Sequence, residues 1–302
     1  MKLPAHLIRT LKGVHPDAEE WLTAFPSYLE QLETAWNIRV LSLVEDLSFN
    51  VVALAEGDDG TPYILKMSPP GGEFSRELAA LRLYDGDGIA KLIRADEQGG
   101  AMLLERLQPG VSFWRTDDDE LATRTCAELL LQLWRPVEDM TSLRDLTSWT
   151  RALPAYLEQN PNGGALPQNF ARKANDLLTE LLQEQTDPVL LHADLHHGNI
   201  LSATRQPYLA IDPKGIVGAR AFDVTAFLRN PYDLTKRADF KRVLETRLSI
   251  FSEMLGLSKE ELARWGYMFC ALSSCWSVED GQDGENGLKE TLGVAGGLED
   301  YF

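Results

Sequence analysis

Cysteine is scarce in this chain of 302 residues: three thiols, Cys126, Cys270 and Cys275, with no CxxC pair. So odd and sparse a set builds no disulfide framework and reads as buried reduced thiols. Positive charge is short as well. Against 46 aspartates and glutamates stand 29 lysines and arginines, a formal charge of -17. That field repels polyphosphate backbones and excludes general nucleic-acid binding, while it attracts cations, polycationic small molecules included. No run of 18 apolar residues exists for a membrane span. The opening stretch MKLPAHLIRTLKGVHPDAEE lacks the sustained apolar core of a signal peptide. A cytoplasmic protein without membrane contact is expected, and nothing points to an obligatory protein partner. Repeats and low-complexity tracts are absent too. What remains, 44% hydrophobic and 25% charged residues, is an ordinary globular composition, long enough to bury a sizeable core.

The periodicity changes along the chain. Residues 17–36 place Trp21, Leu22, Phe25, Leu29, Leu32 and Trp36 at helical spacing, with Pro26 expected to kink or divide the helix. From 38 to 66, IRVLSLV, NVVALAE and PYILKM are short extended runs, and EGDDG between the last two reads as a hairpin turn. EFSRELAALRLYD resumes as a helix with Phe74, Leu78, Leu81 and Leu83 or Tyr84 inward, and IAKLIRAD and GAMLLERL return to strands. Beyond QPG the pattern becomes helical. Residues 119–134 and 170–185 are strongly amphipathic. Short strands interrupt between 188 and 212, and helices follow from about 222 until a glycine-rich end. The expected fold is α+β and two-lobed: a small antiparallel-sheet lobe over 1–107, including an N-terminal helical segment, and a larger mainly helical lobe over 108–302. A hinge near 105–110 leaves a cleft between them, where small-molecule sites sit.

Three of the five histidines crowd into VLLHADLHHGNIL, residues 189–201. As metal ligands, His192, Asp194, His196 and His197 would have to converge on one point, but adjacent His196 and His197 point apart on an extended backbone, and no cysteine is near. The alternative is H-x-D-x-x-x-x-N. Phosphoryl transfer needs a carboxylate facing the attacking hydroxyl and oxygen ligands for Mg²⁺ on nucleotide phosphates. Asp194 and Asn199 can supply both from one loop. Asp212, at the end of the strand YLAID, adds a charged ligand. Lys66 in YILKM lies on a strand from which a lysine reaches phosphates as a point charge, braced by a glutamate on the next helix.

LLHADLHHGNIL, LAIDPKG and AFDVTAFLRNP resemble the aminoglycoside phosphotransferases, relatives of the protein kinases. MLLERLQPG and CWSVEDG are most like the branch of streptomycin kinases and hydroxyurea phosphotransferases. The resemblance runs from about 40 to 285 and implies a protein-kinase-like fold, ATP and Mg²⁺ as cofactors, and transfer to a small-molecule hydroxyl. By position it implies that Asp194 orients the hydroxyl, that Asn199 and Asp212 hold Mg²⁺, and that Lys66 contacts phosphates. Glu77 is the expected partner of Lys66, with Glu73, one turn earlier on the same face, as competitor. Backbone groups near Glu105 and Leu107 would meet adenine, His192 would brace the loop, and Asp223 would cap its backbone.

Two features depart from the protein-kinase pattern. There is no G-x-G-x-x-G; DLSFNVVAL offers Ser48, Phe49 and Asn50 to cover the phosphates instead. DPKG stands in place of D-F-G. Ten residues separate Asp212 from Asp223, too few for a peptide platform, so a small acceptor is expected. Residues 276–302 carry seven acids against Lys289; Glu279, Asp280 and Asp283, with Trp276, are the candidate binders of a cationic aminoglycoside such as streptomycin. Trp114 and Trp149 are further candidates for that pocket. Another hydroxyl compound (hydroxyurea or a cellular metabolite), nucleotide binding without turnover, and a metallohydrolase are the alternatives.

Overall fold

A computed structural model describes residues 1–45, 47, 49–231, 233–279 and 285–302. The extended runs of the first third pair into one antiparallel sheet. Its strands are β1 (Ile38–Leu43), β2 (Val51–Gly57), β3 (Pro62–Met67), β4 (Leu92–Asp96) and β5 (Ala101–Glu105), in the order β1-β2-β3-β5-β4. Side chains alternate faces along a strand, and that decides what each face meets. Leu65, Met67, Ala101 and Leu103 are buried with the apolar stripes of α1 (Ala5–Val14) and α2 (Ala18–Trp36), among them Leu7, Leu11, Phe25 and Leu29. Lys66, paired with Met102, therefore projects from the opposite face, where α3 (Gly72–Tyr84) packs.

Pro26 does not divide α2, which runs unbroken from Ala18 to Trp36. The lost backbone hydrogen bond is local, and burial of Phe25, Leu29 and Leu32 on the sheet outweighs it. In α3 the inward residue of the two candidates is Tyr84; Leu83 is exposed.

The chain leaves the sheet at Glu105 and at once contributes β6 (Pro109–Ser112) to the other part of the molecule, pairing with β9 (Ile200–Ala203). The helical part comprises α4 (Asp119–Leu133), α5 (Leu146–Trp149), α6 (Ala152–Gln159), α7 (Gln168–Glu184), α8 (Thr225–Arg229), α9 (Phe240–Leu255), α10 (Lys259–Glu279) and α11 (Glu285–Leu298). Residues 265–275 of α10 are buried all round, as an axial helix must be. Two small sheets carry the loops of interest. One adds β10 (Tyr208–Ala210) to β9; the other joins β7 (Arg144–Asp145), β11 (Ile216–Gly218) and β8 (Val189–Leu191).

The glycine-rich end is helical as α11, contrary to the sequence expectation that helix stops before it. A methyl group at Gly293 would press on Thr235 and one at Gly297 on Phe240, so these glycines admit close packing rather than mark a loop. No helix among the described residues is long and apolar enough to cross a membrane.

Candidate active site

Lys66 is the pivot of the site. Its Nζ lies 2.6 Å from Glu77 Oε1 and 3.1 Å from Asp212 Oδ1, so strand β3, helix α3 and the segment after β10 meet at one ammonium. Glu77, not Glu73, pairs with it. Burial pushes the Lys66 ammonium down, but Asp212 and Glu77 outweigh that and hold its pKa above the ordinary lysine value. Burial likewise opposes the Asp212 carboxylate, and the Lys66 and Lys214 ammoniums overcome it, leaving its pKa below the usual range.

The loop after β8 is fixed by its backbone. Ala193 and Asp212 both adopt left-handed conformations, φ 63° and 62°, which cost free energy in a residue with a β-carbon. Asp223, in the 3₁₀ turn Arg220–Val224, holds the first of them. Its Oδ1 accepts from the Ala193 amide at 2.6 Å, and its Oδ2 accepts from the His192 amide at 3.1 Å and from Trp134 Nε1 at 2.9 Å. His192 is fully buried; its Nε2 donates to the Ile211 carbonyl at 2.7 Å, leaving Nδ1 to accept from the Asp194 amide at 3.3 Å. Burial lowers its pKa to about 4, so the ring is a neutral brace.

Asn199 and Asp212 are brought side by side by the Ile211 amide, which donates to the Asn199 carbonyl at 3.0 Å. Asn199 Nδ2 donates to the Asp194 carbonyl at 2.9 Å, leaving its amide oxygen as the available ligand atom. One amide oxygen and one carboxylate form a hard donor set that suits Mg²⁺. The histidines do not converge. His192 turns to Ile211, His196 Nδ1 accepts from the Gly198 amide at 3.0 Å, and His197 stacks on Phe227 at 4.1 Å.

Two cavities lie beside these residues. The first, about 420 Å³, lies under the sheet and is bounded by Lys66, Asp212, Glu105 and Leu107, with Val52 and Leu104 among its apolar walls. Asn50 borders it, while Phe49 borders the second cavity instead. Ser48 lies outside the described residues. Glu105 has other partners: its amide donates to the Lys91 carbonyl at 2.8 Å and its carboxylate pairs with Arg205 at 2.9 Å.

The second cavity, about 510 Å³, contains Asp194 and is walled by Trp114, Trp149 and Trp276, with Glu279 at its edge. Trp149 and Trp276 meet edge to face, centroids 5.3 Å apart. Trp114 needs Gly198, where any β-carbon would collide with the indole nitrogen. Asp280 and Asp283 lie outside the described residues. Sequence reasoning passed over Lys214, which also lines this cavity and stands 3.6 Å from Asp194 Oδ2. Its only sequence signal was its place in DPKG.

A lysine–glutamate pair beneath a five-stranded sheet, facing an H-x-D-x-x-x-x-N loop on a helical base, defines a kinase-like phosphotransferase. An amicoumacin kinase solved in complex with AMP-PNP, Ca²⁺ and Ami has the same fold, with a TM-score of 0.61 at 17% identity over 90% of this chain and 93% of that one. The chain belongs to the aminoglycoside/hydroxyurea antibiotic resistance kinases, whose family profile matches residues 39–281. A streptomycin 6-kinase of Streptomyces glaucescens is 31% identical over 285 residues, 92% of this chain and 91% of the relative. A hydroxyurea phosphotransferase of Kitasatospora aureofaciens is 28% identical over 288 residues, 93% and 82% of the two chains.

Proposed function

We propose that this kinase transfers the γ-phosphoryl group of ATP, with Mg²⁺, to a hydroxyl of a streptomycin-type aminoglycoside in the cytoplasm. Residues 1–107 would serve as the nucleotide lobe and 108–302 as the catalytic and acceptor lobe. The observation that carries the reading is the position of Asp194. It opens into the aromatic-walled cavity, while Lys66 and Asp212 open into the cleft under the sheet.

In this reading Lys66 binds nucleotide phosphates and Glu77 keeps its ammonium in place. Backbone groups near Glu105 and Leu107 meet the base, and the Glu105 carboxylate ties the hinge to Arg205. Asn199 and Asp212 would hold Mg²⁺, which neutralises phosphate charge when bound. Asp194 accepts a hydrogen bond from the acceptor hydroxyl and aims its oxygen. An alcohol is a far weaker acid than a carboxylic acid, so orientation precedes any proton transfer. Trp276, Trp149 and Trp114 offer faces to guanidinium or ammonium groups, and Glu279 offers a charged acceptor.

The streptomycin 6-kinase relative supports that acceptor, and the hydroxyurea phosphotransferase relative supplies the competing one. The test is incubation of the purified protein with Mg·ATP and separate acceptors (streptomycin, other aminoglycosides, hydroxyurea), read by product mass. Phosphorylated streptomycin is expected. A product from hydroxyurea alone would replace the acceptor, and tight Mg·ATP binding without any product would remove catalysis from the proposal.

A further inference from the structure

On the wall of the second cavity stands a cation whose chemistry the preceding roles leave unused. Lys214 Nζ lies 3.6 Å from Asp194 Oδ2 and 3.7 Å from Glu73 Oε1. Its backbone is clamped on both sides. The Lys214 amide donates to the His192 carbonyl at 2.9 Å, tying it to the loop that carries Asp194. The next residue, Gly215, is left-handed at φ 63°, and a β-carbon there would collide with the Arg76 carbonyl of α3. So only glycine lets this segment pass so close to the helix that carries Glu73 and Glu77. Asp212 lines the nucleotide cleft and Lys214, two residues on, lines the acceptor cavity. The lysine side chain is 28% exposed, open enough to meet a ligand.

We propose that Lys214 is a catalytic residue that contacts the phosphoryl group in transit, exchanging its ion pair with Glu73 for the γ-phosphate oxygens when Mg·ATP binds. The proposal rests on the phosphotransferase reading above. In the reaction, the acceptor oxygen forms a bond to the γ-phosphorus. The bond from that phosphorus to the β,γ-bridging oxygen breaks, its electron pair leaves with ADP, and the hydroxyl proton passes to Asp194. Lys214 takes no part in the electron count. It offers positive charge beside oxygens whose charge must pass from the cleft to the acceptor side, where a fixed donor counts most. A lysine that merely accompanied Asp194 would sense no difference between nucleotides with and without a γ-phosphate.

That difference is the test. Binding of Mg·AMP-PNP and Mg·ADP is measured by calorimetry on the wild type and on Lys214→Met, with turnover measured in parallel. The expected result is about a 10-fold loss of AMP-PNP affinity, ADP affinity within about 2-fold, and kcat lower by about 10²- to 10³-fold. ADP binding doubles as the control for folding. Should the methionine variant not fold, Lys214→Gln carries the same comparison. Lys214→Arg, which keeps the charge, should preserve the wild-type preference for AMP-PNP. An unchanged AMP-PNP to ADP affinity ratio in Lys214→Met or Lys214→Gln, or kcat within about 3-fold of wild type, overturns the proposal. If the wild type phosphorylates no acceptor, the functional reading fails by itself, and the affinity ratio still decides the role of Lys214.

Discussion

The two cavities beside the Lys66 network and the Asp194 loop are of similar size, about 420 and 510 Å³, and are built on opposite principles. The first, proposed for the nucleotide, is a slot between apolar strand residues in which Lys66 joins Asp212 on the cleft wall to Glu77 on α3. The second, proposed for the acceptor, has aromatic walls and scattered charge: Glu73, Asp194 and Glu279 against Lys214 and Arg229. A slot of the first kind suits one invariant ligand whose phosphates always meet the same ammonium. A cavity of the second kind suits acceptors that differ in shape and share cationic groups. One side is thus specified by a single buried ion-pair network, the other by many weak contacts.

The contrast makes the two sides break differently. Asp194→Asn should produce the largest effect, a fall in kcat of about 10³-fold or more with nucleotide affinity within about 2-fold, because the group faces only the acceptor side. Steady-state kinetics with calorimetry checks this; a parallel loss of nucleotide binding would show that the two sides are not separable. Glu77→Ala should come next. It leaves Lys66 buried without its nearest partner, and global stability should drop by about 3 kcal/mol, read from urea unfolding. Weaker ATP binding should accompany that loss, with acceptor binding spared.

Acid should act on the loop that carries Asp194. His192 is neutral in the fold, with a pKa lowered from 6.5 to about 4 by burial. The unfolded chain therefore binds the extra proton between those values, and stability, fully present above pH 6.5, declines as pH falls toward 4. From pH 7 to pH 5 this one group should remove about 2 kcal/mol. Unfolding midpoints across that range check it, and His192→Asn should flatten the slope. The smallest effects belong to the acceptor walls. Trp276→Ala and Glu279→Gln should each raise KM for a cationic acceptor about 5- to 10-fold while KM for ATP stays unchanged. Equal shifts in both constants would place these residues outside acceptor binding.

The ease of reading the sequence followed the same division. Asp194 and Asn199 could be singled out because one loop carries them five residues apart, and Asp212 because it follows the strand that ends the next hairpin. The strand position of Lys66 told its face, since alternation sends Leu65 and Met67 to α1 and α2 and leaves Lys66 on the other side. Glu77 and Glu73 share a helical face, so only the placement of α3 against the other segments could separate them. Glu73 proved to meet Lys214 rather than Lys66. Lys214 itself was illegible, because its partners come from two distant segments. The placement of Phe49 at the second cavity likewise depends on which neighbour arrives, not on local pattern. The helix α11 was missed because glycine content suggests a loop until Thr235 and Phe240 are seen pressing on it.

The most direct measurement is mass spectrometry of streptomycin after incubation with Mg·ATP and either the wild type or Asp194→Asn. The account predicts that wild type adds one phosphoryl group to the antibiotic and that the variant, still binding nucleotide, adds almost none. Phosphorylated streptomycin formed by Asp194→Asn at the wild-type rate, or no phosphorylated acceptor from a wild-type protein that binds Mg·ATP tightly, would contradict it.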